Sequence, residues 1–143
     1  MGPDMGVPSP HKGSYLLLLI LEDDSEITVG KLGRFHFPAG LYCYVGSGRA
    51  SLYTRVGRHF SEGKKVHWHI DYLLEHAQPF SALLLEGPVQ ECRLRTIVSD
   101  SPGSSLVCPG FGSSDCSCPA HLYLIEERSL PVILNELHWL SGS

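Results

Sequence analysis

Long apolar runs are missing from this chain of 143 residues. The strongest, Tyr15–Leu21, is seven residues long, far short of the roughly 20 that a membrane-spanning helix needs. It runs straight into Glu22-Asp23-Asp24 with no small-residue cleavage site, which also makes it a poor secretion signal. Charge is scarce as well, at 18% of residues against about 25% in an ordinary soluble domain. Positive charge is scarcest: 11 Lys and Arg face 15 Asp and Glu, a formal net charge of −4. The molecule as a whole is therefore no electrostatic magnet for a polyanion. Cysteine is present five times, an odd count that excludes a fully paired secreted framework and points to a reducing compartment, the cytoplasm. Neither an internal repeat nor a coiled-coil heptad is visible.

What charge there is lies unevenly. Eight of the 11 basic residues precede residue 70, and between residues 49 and 69 only Glu62 opposes Arg49, Arg55, Arg58, Lys64 and Lys65. Such a strip on an acidic protein is compatible with a phosphate-binding face, although a solvated helix and loop would read the same way. The length supports one domain with a real core.

Local patterns predict a small α/β (α+β) domain whose mostly antiparallel central sheet is flanked by helices. Residues 1–10, rich in proline and glycine, read as a disordered leader, with a single domain over 11–140. Ser14–Leu21 has the continuous apolar character of a central strand covered on both faces. Ile27–Gly30 and Arg34–Phe37 alternate as an extra hairpin between the first two core strands, and Leu41–Val45 forms the second of these. A helix over Ala50–Phe60 is expected to bury Leu52, Val56 and Phe60. His67–Ala77 reads as a second helix, Ser81–Leu85 as a third core strand, and Gly87-Pro88 as the start of a further helix. Pro102–Pro119 is a long loop rich in Gly, Ser and Cys, a length that often carries function. His121–Ile125 and Leu130–Leu140 complete the chain as strand and helix.

Hydrolysis of a phosphodiester needs a group that positions or deprotonates water, a cation on the leaving oxygen, and positive charge against the phosphorus. Two tyrosine words, Gly13-Ser14-Tyr15 and Tyr44-Val45-Gly46, are followed by Arg55 on a helix in an order suited to that task. Together they resemble the GIY-YIG nuclease superfamily, and more narrowly its small bacterial and archaeal GIY-YIG-like proteins of unassigned function. Further matching words are Gly33–Gly40, Arg58-His59-Phe60, His67–Leu73, Glu91–Leu94 and Gly110–Leu122.

The resemblance implies that Tyr15 and Tyr44 lie side by side facing the scissile phosphate, with Arg55 contacting it and His59 tuning the site. It implies Glu91 as the single protein ligand of Mg²⁺ or Mn²⁺, and DNA, branched or damaged, as the partner. Ser47 stands where the superfamily's excision-repair members carry lysine, with Arg49 as the substitute contact. Arg58, Lys64 and Lys65 are the other candidate nucleic-acid contacts. The function so implied is metal-dependent hydrolysis of DNA by an endonuclease domain; the alternative is a catalytically silent nucleic-acid-binding or protein-interaction module. Tyrosine ionises ordinarily near a pKa of about 10, so as a base it needs help. Arg55 and the metal are expected to stabilise tyrosinate, giving a rate still rising above about pH 8.

Each of these residues also has an ordinary role: a core tyrosine with its hydroxyl at water, a surface arginine, a glutamate favoured by a helix N-terminus. His67 and His69 beside Trp68 read as structural. Cys108, Cys116, Cys118 and His121 could chelate zinc, but a Cys-x-Cys spacing is tighter than the usual structural pair and argues against it. Asp115 reads equally as a turn former and as a contact to nucleic acid.

Overall fold

A computed structural model describes residues 12–49, 51–63, 65–113 and 116–142. The expected leader over residues 1–10, together with Lys64 and Asp115, lies outside these. Four antiparallel strands form the central sheet: β1 (Gly13–Leu21), β4 (Gly40–Gly48), β5 (Gln78–Glu86) and β6 (Leu122–Ile125), in the order β5-β1-β4-β6. Between β1 and β4 the chain leaves the sheet as the hairpin β2 (Ser25–Thr28) and β3 (Arg34–Phe37), joined through a 3₁₀ turn at Gly30–Leu32. The helices are α1 (Leu52–Phe60), α2 (His69–Leu74), α3 (Glu91–Asp100) and α4 (Ser129–Gly142). The α+β class and the inserted hairpin are thus as expected.

The apolar run in β1 is continuous because both faces of the sheet are covered. Leu17, Leu19 and Leu21 pack with Phe37, Tyr42, Leu52 and Ile70 beneath α1, α2 and the hairpin. Their alternating neighbours Leu16 and Leu18 pack with Val45, Leu94, Val98, Ile133 and Leu137 beneath α3 and α4. One strand with a side-chain period of 2 therefore feeds two cores. In α4, Pro131 falls in the first turn, where its missing N–H has no partner to lose.

Several boundaries differ from the sequence pattern. The helix after β5 starts at Glu91 rather than at Gly87-Pro88. Gly87 ends the strand at φ 120°, and the helix begins only where the Ser14 hydroxyl accepts the Gln90 N–H at 2.7 Å. The second helix is shorter than His67–Ala77, because Gln78 precedes Pro79 and is drawn into β5. In α1, Phe60 is 44% exposed whereas His59 is buried, so the apolar stripe is completed by a histidine that has a partner inside.

Asp71 ties α2 to α1. It is 2% exposed and accepts both Arg58 guanidinium nitrogens, at 2.9 and 3.0 Å, besides the His67 and Trp68 N–H groups at 2.8 Å each. Burial alone would raise its pKa, but these donors hold it below its ordinary 3.8. A depressed carboxylate contributes stability above its unfolded pKa and loses it as pH falls through the folded value. Asp71→Asn should cost about 3 kcal/mol in urea unfolding at neutral pH, since it leaves a guanidinium facing a group that no longer balances it. It should also flatten the acid limb of stability below about pH 4, where the wild type loses this contribution.

Candidate functional site

The β1–β4 register sets Ser14 opposite Ser47 and Tyr15 opposite Gly46. A Cβ on residue 46 would lie 2.4 Å from the Tyr15 ring, so glycine there lets the aromatic lie flat across the neighbouring strand. The Tyr15 hydroxyl then reaches Nε2 of His59 on α1 at 2.6 Å. Tyr44, two residues before Gly46, stands 6.2 Å from Tyr15 between ring centroids and packs edge-on against His59 and Phe111.

Ser47 is a junction between three elements. Its carbonyl accepts from Arg55 at 2.7 Å and its hydroxyl donates to Glu91 Oε1 at 2.6 Å. Ser14, its cross-strand neighbour, holds the residue preceding Glu91 by the Gln90 N–H. The second Glu91 oxygen accepts from His121 Nδ1 at 2.8 Å. Burial would raise the Glu91 pKa, yet the His121 and Ser47 hydrogen bonds hold the carboxyl below its ordinary value, so it is ionised at neutral pH. Arg55 lies over the Trp68 ring at 4.4 Å, as does Arg58, a stacking that fixes the guanidinium plane.

These groups surround an open cleft of about 940 Å³ into which Tyr44, Ser47, Arg55, Glu91 and His121 converge, with Arg49 and Arg93 at its edge. His69 also lines it and accepts the Gly112 N–H at 2.8 Å through Nδ1. Burial lowers the His69 pKa, which keeps the ring neutral. His67 packs on Trp68 at 4.7 Å. Both histidines line the cleft as well as making these contacts.

Of the residues expected to be catalytic, metal-binding or in contact with nucleic acid, Tyr44, Arg55, Glu91 and Arg49 meet in this cleft. Tyr15 and His59 form the buried layer behind Tyr44, each 1% exposed. Arg58 is turned away from it and spent on Asp71 and on the Lys65 carbonyl. Lys65 is exposed but does not line the cleft. The expected tyrosinate is not supported. Burial pushes Tyr15 and Tyr44 well above their ordinary value, and Arg55, though it acts in the opposite sense, is outweighed. At this depth the loss of solvation costs a phenolate more than one cation returns.

Sequence reasoning missed Ser14, Ser47 and His121 as the residues that hold Glu91, and it missed Cys92. Residue spacing carries no signal for them, since their partners come from other elements. Cys92 on α3 meets Cys116, Cys118 and His121, all four ligand atoms lying within 4.8 Å of one another. Cys108 takes no part in that cluster. It is a buried thiol, pushed up to about 11 by burial, as Cys43 is to about 12.

An α+β domain with a polar, arginine-lined cleft over one sheet end is the class that this geometry defines. The chain belongs to the family described as a domain of unknown function, DUF123, whose profile matches residues 14–139. The match is to this family and not to a GIY-YIG nuclease family, so the superfamily membership suggested by the two tyrosine words is not supported. Those words mark instead the β1–β4 pairing and the ring packing around Gly46. No curated protein and no solved structure matches the chain.

Gly46→Ala should displace the Tyr15 ring and cost about 1–3 kcal/mol, the range for overpacking a filled site. Urea unfolding measures the loss, and a changed His59 imidazole NMR signal reports the broken contact with Tyr15. In an alkaline titration followed at the phenolate absorbance, Tyr15 and Tyr44 should ionise only as the fold opens. Tyr44→Phe should therefore remove amplitude from that late phase and from no earlier one.

Proposed function

We propose that the cleft binds the backbone of a nucleic acid, DNA in the first instance, and hydrolyses a phosphodiester there with a divalent cation at Glu91. The observation that carries this is the convergence of Arg49, Arg55 and Arg93 with an ionised carboxylate on one open cleft. The chain's net charge is −4, so three guanidiniums around one concavity form a local field opposed to the molecule's own.

The donor chemistry fits Mg²⁺ or Mn²⁺. Each Glu91 oxygen accepts one protein hydrogen bond and keeps a further lone pair, and a hard cation is commonly held by one carboxylate with waters completing its shell. Such a cation would polarise a phosphoryl oxygen and stabilise the leaving oxygen. The protein's own groups supply the rest. Arg55, fixed by the Ser47 carbonyl and the Trp68 face, offers its free edge to a non-bridging phosphate oxygen. Tyr44, protonated throughout the physiological range because of its burial, positions substrate or water as a hydrogen-bond donor. Ser47 and His121 hold the carboxylate in place, which removes its reorganisation from the reaction.

The test is nicking of supercoiled plasmid and of branched or flapped oligonucleotides with Mg²⁺ or Mn²⁺. Wild type should cut, Glu91→Gln should fall to background, and Arg55→Ala should lose about 10²–10³-fold, the scale of one lost charge-stabilising donor. Tyr44→Phe should lower the rate without moving its pH dependence. If wild type and Glu91→Gln leave every substrate equally intact, hydrolysis is excluded. Salt-sensitive binding in that case, with the slope of log K against log salt reduced by about one on Arg49→Ala or Arg93→Ala, identifies a silent binding module.

A further inference from the structure

We infer that Cys92, Cys116, Cys118 and His121 bind one zinc ion in a closed structural site. Cys92 stands in the first turn of α3, Cys116 and Cys118 in the loop that leads to β6, and His121 immediately before that strand. The Cys92 and Cys118 sulfurs are 3.0 Å apart, and Cys116 Sγ lies 3.1 Å from His121 Nε2. A tetrahedral ion with bonds of about 2.3 Å to sulfur and 2.0–2.1 Å to nitrogen needs its ligand atoms roughly 3.5–3.8 Å apart. The observed separations, up to 4.8 Å, straddle that requirement, and rotamer shifts below about 1 Å reconcile them.

Two further observations favour a metal over a simple cluster of thiols. The donor set is three sulfurs and one imidazole, the soft combination that selects zinc over the hard cations suited to Glu91. His121 also presents the right face. Its Nδ1 lies against Glu91 Oε2 at 2.8 Å while its Nε2 faces Cys116. The carboxylate thus holds the proton on Nδ1 and leaves the Nε2 lone pair for a metal, the carboxylate–histidine–metal arrangement of zinc proteins.

The competing product at these positions is a Cys92–Cys118 disulfide. Its bond is about 2.05 Å, against the 3.0 Å found, and it would not account for Cys116 Sγ facing His121 Nε2. The tight Cys116-x-Cys118 spacing loses its force against zinc once the third sulfur comes from α3, because the site no longer depends on a loop pair closing on itself. With four protein ligands the ion has no open position, so it acts structurally. It clamps the loop to the helix that carries Glu91 and sets the ring that orients that carboxylate. This stands independently of phosphodiester hydrolysis, which concerns a different cation on different atoms.

The full chain, purified under reducing conditions without chelators, should contain about one zinc per molecule by elemental mass spectrometry. Replacement by cobalt should give the intense visible bands of a tetrahedral ion and near-ultraviolet thiolate charge transfer. Cys92→Ser and Cys118→Ser should each lose the metal or weaken cobalt binding at least tenfold, while Cys108→Ala should keep full stoichiometry. Zinc removal from wild type by a competing chromophoric chelator, read with circular dichroism, should lower the Tm, a measurement that does not require any variant to fold. A folded wild-type chain that contains no zinc and gives no tetrahedral cobalt spectrum overturns the site. So does a Cys92–Cys118 disulfide in protein isolated from a reducing cytoplasm, or zinc retained in full by both serine variants.

Discussion

Everything in the cleft depends on the antiparallel register of β1 against β4. A slip of one residue would turn Tyr15 to the opposite core and carry Ser14 and Ser47 out of reach of α3. In the register found, Ser14 and Ser47 face each other and take hold of the first turn of α3 through Gln90 and Glu91. A strand pair in the middle of the fold therefore decides where the Glu91 carboxylate of the cleft stands. Gly46 opposite Tyr15 belongs to the same constraint, since only a missing side chain lets the ring cross the strand towards His59.

Electrostatics within the cleft follow from how deeply each group is set. Glu91, half-buried, has donors on both oxygens and stays charged. Tyr15 and Tyr44 lie deeper, with no full compensation for a phenolate, and stay neutral. Arg55 carries its charge to the cleft because its plane rests on Trp68 and its hydrogen bond goes to a carbonyl. Arg58, one turn further along α1, sees the buried Asp71 carboxylate and is consumed by structure. Two arginines on one short helix thus part ways: Arg58 is hydrogen-bonded to the buried Asp71 carboxylate, whereas Arg55 bonds a carbonyl and faces the half-buried Glu91 across the cleft.

The loop between α3 and β6 is the least regular part of the described chain, yet it closes both sides of the site. Phe111 packs on Tyr44, and the Gly112 N–H is caught by His69. His121 links the loop's end to Glu91. Its described residues are held both by these contacts and by backbone hydrogen bonds within the loop, the Gly110 N–H to the Pro119 carbonyl and the His121 N–H to the Phe111 carbonyl, each at 2.7 Å.

The apolar pattern by itself determined the α+β class, the doubly covered strand β1, the inserted hairpin and the order of strands and helices along the chain. Those follow from side-chain periodicity and from turn residues, which act between near neighbours. Tyr15, Tyr44, Arg55 and Glu91 were legible as a candidate set through the resemblance their order carried, although only Glu91 stands at the end of its element, Tyr44 falling in the middle of β4 and Arg55 inside α1. The tertiary structure alone decided which of them reach the cleft, which charges survive, and which cysteines meet. His59 replaces Phe60 in the core because Tyr15 offers it a partner from another element, and Arg58 leaves the cleft for Asp71. Cys92 joins Cys116, Cys118 and His121 across more than twenty residues of chain while Cys108 is buried apart. Hydrogen bonds, desolvation and metal-ligand geometry act over a few ångströms in space and are indifferent to separation along the chain.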